Sequence, residues 1–540
     1  MATAWYTITA GLGCSLLLAL LFFGCSGKRE RKFQKEGFPL PPGPAKLPVF
    51  GNALDLPPKK PWITYARWAK EYKSDIIHLR ILNTSVAVLN SAQVANDLLG
   101  KRNILTFSTR PRLTYSGDRM GWSWLMTSLS YGRHWKDQRL LFHQHLHPTD
   151  DSLHKVRTSE YVHRLMYQLA TDPTDFMGLI KHCFGGIMCS LAYGLRTHPT
   201  NDPYIQFTDK IATVMGDIMI PASSLVDSIP LLKYLPESFP GASFKRKARE
   251  WRELTVGFRE VPFDAAREAI VSADGTAIPS FTSMCLEGFD NTGSKSDSGN
   301  SDDEAYNTGL VRDTTGLFFI AGTASTSAVV YTFILVMLCF PEVQRKVQAE
   351  LDRVVGRERL PEFSDEPYTP YLSAVIKEVM RWRPVSPMGM AHYLQQDDIY
   401  EGYLIPANTI MIPNAWAMLQ DERDYPDPFT FNPDRFLTPN GELRSDVRDP
   451  ETLLFGFGRR SCPGMHISVS AVWLTAANLL ASFTISEAVG EDGKEVEPSM
   501  AFTSGVTCQP EPFVCDIRPR STCAVDMIRS AVESLREGGG

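Results

Sequence analysis

The stretch Phe455-Gly456-Phe457-Gly458-Arg459-Arg460-Ser461-Cys462-Pro463-Gly464 constrains this chain more than any other. It reads as a glycine-punctuated loop that delivers one cysteine to the start of a helix. Glycine reaches dihedrals closed to other residues and lets backbone approach a flat ligand closely. A cysteine near a helix N-terminus, beside Arg459 and Arg460, is biased toward the thiolate. The chain can build a body around such a loop: of its 540 residues, 43% are hydrophobic and 21% charged. No Pro/Gly/Ser-rich linker cuts the middle of the sequence, which points to one large domain with appendages.

Charge and cysteine usage narrow the classes. The net charge of −6 argues against a general nucleic-acid binder, which carries a basic excess. None of the ten cysteines is spaced as Cys-x-x-Cys, which argues against a structural zinc site. Most read as small buried hydrophobes in a reducing compartment.

No charged residue falls between Trp5 and Ser26, whereas Lys28, Arg29, Arg31, Lys32 and Lys35 follow at once. About 20 helical residues cross a bilayer core, so 5–26 is expected to be a transmembrane anchor. The basic flank then places the body in the cytosol, at the endoplasmic reticulum membrane. A cleavable signal peptide would want a positive n-region and a shorter apolar run. With a cytosolic body the sequon Asn83-Thr84-Ser85 is idle. Residues 27–50 form a basic and proline-rich linker, whose Phe38-Pro39-Leu40-Pro41-Pro42-Gly43-Pro44 run favours a stiff extended connector.

The body, residues 51–520, reads as mainly α with a small β region. Helical spacing marks 62–72, 93–99 and 161–169, and 74–89 reads as a hairpin turning at Leu82-Asn83-Thr84. Residues 287–307 are polar and read as a flexible surface loop. A long apolar helix follows, from about Leu310 to Phe340, stopped by Pro341; another spans 371–382. The tail, 521–540, reads as one exposed helix.

The 455–464 segment resembles the haem-binding signature of cytochromes P450, Phe-x-x-Gly-x-Arg-x-Cys-x-Gly, at every defined position. The resemblance runs from Pro41 to about Val514. It implies a triangular helical body around a buried haem b, with Cys462 as axial iron ligand and Phe455 and Gly456 in the loop beneath. A thiolate ligand pushes electron density toward O–O cleavage. Arg460 would pair with a haem propionate. Trp135-Lys136-Asp137-Gln138-Arg139 resembles the family's Trp-x-x-x-Arg, which assigns Trp135 and Arg139 to the propionates, and His392 stands where many members place another donor. Glu378 and Arg381 resemble the Glu-x-x-Arg pair, on one helix face at i and i+3. Arg435, in Phe431-Asn432-Pro433-Asp434-Arg435-Phe436, would complete a buried network that locks the cysteine loop. The resemblance also implies electrons from NADPH through a P450 reductase, with cytochrome b5 as a further partner.

The long helix departs from the family pattern Ala/Gly-Gly-x-acid-Thr-Thr/Ser. Ala321 and Gly322 match, but Ala324 stands at the acid position and Ser325 at the alcohol. Ser325 or Thr326 is expected to order a water relay for oxygen activation. The alternative is a reaction needing less proton delivery, such as a rearrangement or dehydration. The pocket is expected from Arg112–Met126, Phe318, Ala321, Val385–Met390 and Phe502–Val506, with Trp122-Ser123-Trp124 either lining it or packed in the core. The Phe107-Ser108-Thr109-Arg110-Pro111 run and the Pro41–Pro44 stretch resemble P450s of filamentous fungi in secondary metabolism. That suggests a lipophilic terpenoid or polyketide-like substrate, with an aromatic or indole substrate as the alternative. A haem-thiolate sensor without turnover is the non-enzymatic rival.

Overall fold

The computed structural model describes residues 37–102, 107–112, 114–147, 152–218, 234, 243–272, 277–291 and 301–537. The anchor expected at 5–26 and the basic part of the linker lie outside them. Helices dominate: α1 (Pro61–Tyr72), α2 (Ala92–Ala95, continued by π-helical turns to Lys101), α3 (Arg133–His145), α4 (Ser152–Thr171), α5 (Phe176–Tyr193), α6 (Pro203–Ile218), α7 (Ser243–Ser272) and α8 (Phe281–Asn291). Then come α9 (Ser301–Cys339), α10 (Pro341–Val354), α11 (Pro370–Trp382), α12 (Ala415–Leu419), α13 (Glu451–Leu454), α14 (Met465–Ser482) and α15 (Thr522–Glu537).

Helix α9 is the spine. Its 39 residues run about 58 Å at 1.5 Å per residue. From Ala328 to Leu338 every residue is buried, and Val330, Phe333, Ile334, Leu335, Val336 and Met337 are fully so. A helix that is apolar nearly all round must be enclosed in this way. Among the described residues three helices, α5, α9 and α14, are long and apolar enough to cross a membrane, yet most of each apolar window is buried inside the body. Helix α5 runs against α9 where Gly322 stands; a Cβ there would collide with the Met188 thioether. The polar stretch expected as a loop over 287–307 is helical at both described ends, in α8 to Asn291 and in α9 from Ser301. Asp302, Asp303 and Glu304 fall in the first turn of α9, where carboxylates favour the positive end of the helix dipole.

The main sheet has the order β1-β2-β6-β3. Strands β1 (Ile76–Ile81) and β2 (Thr84–Leu89) form the expected hairpin, with Leu82 left-handed at the turn. Strand β6 (Thr409–Pro413) runs parallel to β2 and carries the short β3 (His392–Tyr393). The other strands form two small pairs, β4 (Asp398–Tyr400) with β5 (Tyr403–Ile405), and β7 (Phe483–Ser486) with β8 (Asp516–Pro519). The proline-rich run is docked on this region: the amides of His78 and Leu404 donate to the carbonyls of Pro42 (2.9 Å) and Pro39 (2.8 Å).

The tail is not the exposed helix expected from the sequence. Helix α15 is amphipathic and buries Ala524 and Ile528 against the body. Its apolar stripe recurs at helical spacing, so the helix seals a face instead of projecting from it.

Candidate active site

The cysteine loop lies between α13 and α14. The Cys462 amide donates to the Phe455 carbonyl (2.8 Å), which folds the loop back on itself. Gly456 and Gly458 sit at φ +83° and +55°, and a Cβ on Gly458 would meet the Leu99 carbonyl oxygen at 2.7 Å, so glycine is required there. Cys462 is solvent-accessible although it lies deep in the body, because its surface faces a cavity of about 1030 Å³. Phe455, Gly456 and Cys462 form one side of that cavity; Ala321, Gly322 and Ser325 of α9 also line it.

The thiolate bias expected from Arg459 and Arg460 is not what this geometry produces. Burial pushes the Cys462 thiol up, opposed by the Gly464 amide and by the Arg139 guanidinium. Arg459 turns outward to the Tyr131 hydroxyl. Arg460 turns away from the sulfur and donates to the carbonyls of Ser108 (2.6 Å), Met126 (3.1 Å) and Leu129 (2.8 Å). Its guanidinium lies 4.4 Å from the centre of the buried Trp135 ring, a cation–π contact. A thiolate here therefore needs a bound metal to hold it.

Three arginines line the cavity, Arg110, Arg139 and Arg460, and none has a carboxylate partner among the described residues. Arg139 donates to the Ser461 carbonyl (2.5 Å). Arg110 donates to the carbonyls of Met390 and Ala391, both at 2.7 Å, and its buried Nε has no partner. Burial and then the neighbouring Arg460 push Arg110 down to about 9; burial and then Arg139 push Arg460 down to about 10. Buried charge of one sign calls for opposite charge. Two propionates beside a sulfur ligand meet that demand, so the residues present fit a haem. The sequence places Arg110 in the Phe107–Pro111 run without giving it a role in the site. Its place in the cavity follows from the pairing of Thr109 with Tyr393, which carries the guanidinium beside β3.

His392 also lines the cavity, and its Nδ1 lies 2.8 Å from the Phe107 carbonyl. Burial, then Arg110, hold its pKa well below the usual range. A neutral ring whose Nδ1–H serves Phe107 has no proton on Nε2. It can donate to a propionate only when that carboxylate draws a second proton onto the ring.

The structure brings Glu378, Arg381 and Arg435 together away from the cavity. The Glu378 carboxylate accepts from Arg381 Nε (2.6 Å) and Nη2 (2.8 Å), from Arg435 Nε (3.2 Å) and from the Asn432 amide (2.8 Å). Arg381 also donates to the Leu419 carbonyl (3.0 Å), and Arg435 to that of Pro426 (2.7 Å). Next to Glu378, Lys377 pairs with Asp449 (2.5 Å) and Glu451 (3.1 Å), tying α11 to the segment that leads into the cysteine loop.

On α9 the two hydroxyls part. Ser325 donates to the Ala321 carbonyl (2.8 Å) and lines the cavity. Thr326 is fully buried and its hydroxyl pairs with Ser468 of α14 (3.1 Å). Thr326 and Ser468 line the cavity as Ser325 does, but the Thr326 hydroxyl is engaged by Ser468. Trp122 and Trp124 pack in the core and do not line the cavity, whereas Leu125, Met126, Phe318, Val385 and Val506 do.

A helical body whose internal cavity joins a loop cysteine to unpaired buried arginines defines the haem-thiolate class. The cytochrome P450 family model matches residues 41–516. Similar proteins include cytochrome P450 monooxygenase ple1 of Rhodocybe pseudopiperita, 42% identical over 92% of both chains. Cytochrome P450 monooxygenase 98 of Postia placenta is 40% identical over 92% of this chain and 93% of its own. Tryptamine 4-monooxygenase of Psilocybe cyanescens is 35% identical over 94% of this chain and 98% of its own. The chain belongs to the cytochrome P450 family and is a monooxygenase, an oxidoreductase of the kind its fungal relatives are named for.

Arg110 yields a direct expectation. Arg110→Leu removes one buried cation and should weaken haem retention by about 2–5 kcal/mol, the cost of truncating one partner of a buried charge pair. The transfer rate of haem to an acceptor globin measures it; an unchanged rate rules out a propionate at Arg110.

Proposed function

We propose that the enzyme hydroxylates or otherwise oxidises a lipophilic terpenoid or polyketide-like molecule. In this reading Cys462 is the axial ligand of a haem b, and electrons come from NADPH through a P450 reductase, with cytochrome b5 as an auxiliary donor. The observation that carries it is one cavity that joins the Cys462 sulfur, the Ser325 hydroxyl and an apolar wall of Phe142, Leu317, Phe318, Val385, Val506 and Phe513. Its volume, about 1030 Å³, lies at the upper end of the about 300–1,000 Å³ of ordinary small-molecule pockets.

When bound, the haem supplies the oxygen chemistry that side chains lack. The chain's own residues do the rest. Arg110, Arg139, Arg460 and Trp135 orient the group, with His392 joining when doubly protonated. The Glu378–Arg381–Arg435 network and the Lys377 pairs hold the cysteine loop in place. The apolar wall binds substrate by burial, and Ser325 holds water at the Ala321 carbonyl for proton delivery. The basic flank at Lys28–Lys35 follows an apolar segment at 5–26, which supports a single-pass anchor in the endoplasmic reticulum with the body in the cytosol.

A second reading, an aromatic or indole substrate, draws support from the relative named tryptamine 4-monooxygenase. Expression with a P450 reductase, fed with sesquiterpenes, diterpenes, polyketides and indoles, separates the two by which class yields an oxygenated product. A haem band with no NADPH-dependent oxygen uptake would instead indicate a sensor.

The parting of Ser325 and Thr326 gives a sharper expectation. Ser325→Ala should raise the peroxide released per NADPH consumed several-fold; Thr326→Ala should raise it less, because that hydroxyl is engaged by Ser468, and should cost about 1 kcal/mol of stability through the lost bond. An unchanged ratio in Ser325→Ala would favour the alternative reaction type, a rearrangement or dehydration with little demand for protons.

A further inference from the structure

Ala324 leaves the cavity-facing hydroxyl of Ser325 without the adjacent carboxylate of the family pattern. The cavity extends past Ser325 to a polar end where Asp175, Lys181, Asp209, Thr213 and Tyr331 line it. Asp175 and Asp209 are the carboxylates among the described lining residues. Asp175 is committed to the N-terminus of α5, where it accepts from the Gly178 amide (3.0 Å). Asp209, on α6, is held by Lys181 at 2.6 Å. Both of those side chains are 40% exposed, and both line the cavity.

Further hydroxyls line the cavity with it. Thr213 donates to the Asp209 backbone carbonyl (3.1 Å). Tyr331, on α9, donates to the Met177 carbonyl (2.8 Å). Burial first, then the nearby Asp209 charge, push the Tyr331 phenol up, while a bond from Ser327 pulls it down. Ser327 donates to the Thr323 carbonyl (2.8 Å) and lines the cavity as well. Ser325 and Tyr331 stand six residues apart on one helix, about 9 Å along its axis. The two positions also differ by about 120° around the helix, so a file of water joining them must run through the cavity that both line.

We propose that Asp209 is the carboxylate that supplies protons to Ser325, through cavity water and past Tyr331, in place of the one absent at Ala324. The inference rests on the monooxygenase reading. A proton passes from bulk water to Asp209, along the file to Ser325, and on to the oxygen being reduced; Asp209 is recharged from bulk. Overall one C–H bond of the substrate becomes C–O–H. The second oxygen atom leaves as water, with two electrons from NADPH, its hydride-derived proton and one proton from solvent.

The test uses the haem-loaded enzyme with a P450 reductase and NADPH, in water and in deuterium oxide. Asp209→Asn should slow NADPH oxidation by about tenfold to a hundredfold, in line with loss of a general acid, and enlarge the solvent isotope effect. Adding Ala324→Asp to that variant should restore both, which a merely structural role of Asp209 would not allow. The reduced carbon-monoxide spectrum verifies the fold of each variant. A crystal structure of the haem-loaded protein should also show ordered water from Asp209 to Ser325. An unchanged rate and isotope effect in Asp209→Asn, or side chains that seal the file, overturns the assignment. If the unaltered enzyme binds haem yet oxidises no NADPH, the monooxygenase reading fails, and the crystallographic file still decides whether Asp209 is connected to Ser325.

Discussion

Cys462→Ser is expected to abolish monooxygenation, by at least about a thousandfold, equivalent to about 4 kcal/mol of barrier, while leaving the helical body folded. In the proposed reading Cys462 would supply the sulfur ligand, the donor that pushes electron density for O–O cleavage. Serine keeps the shape and the amide bond to the Phe455 carbonyl, so the loop closes as before. Its hydroxyl is far harder to ionise than a thiol, and burial already pushes even the thiol up. The measurement is the reduced carbon-monoxide spectrum together with product formed per haem. A thiolate-type band in Cys462→Ser would mean that another residue ligates the iron.

Glu378→Gln is expected to cost about 3–5 kcal/mol of stability, the range for stranding a buried charge. Glu378 and Arg381 are both fully buried, at 0% side-chain exposure, and Arg435 is at 8%. One carboxylate accepts four donors here, so neutralising it leaves two guanidinium groups facing a neutral amide. Arg381→Lys should also destabilise, because an ammonium cannot reproduce the two-point contact. Chemical denaturation of the purified protein measures the change. A loss below about 1 kcal/mol would place the network among weak surface pairs. The loss of haem should track it, since α11 also holds the lead-in to the cysteine loop through Lys377, Asp449 and Glu451.

Much of this site is legible along the chain because its spacing is local. Glu378 and Arg381 stand one helical turn apart, and Phe455 to Gly464 is continuous. Trp135 and Arg139 share a face of α3 at i and i+4. Other features depend on partners far off in sequence. Arg110 matters because Thr109 pairs with Tyr393, and Arg435 reaches Glu378 across 57 positions. The polar composition of 301–307 reads as a loop, but carboxylates at a helix start are favourable, and α9 begins there. The tail reads as exposed because most of its surface is polar or charged; only the stripe Ala524, Ile528 and Val532 is buried.

Sequence alone determined the family, through a cysteine motif too long and too constrained by glycine to arise otherwise, and the departure at Ala324. Tertiary structure decided what each hydroxyl of the Ser325–Thr326 pair meets: the Ala321 carbonyl for Ser325, and Ser468 of α14 for Thr326. It also decided that Arg139, and not Arg459 or Arg460, is the cation that opposes burial at the sulfur. The physical reason is direction. A motif states which groups are available, but a side chain's electrostatics depend on where its atoms point and what encloses them, and only packing between distant segments sets that. Around Cys462 those segments are α3, α9 and the loop itself.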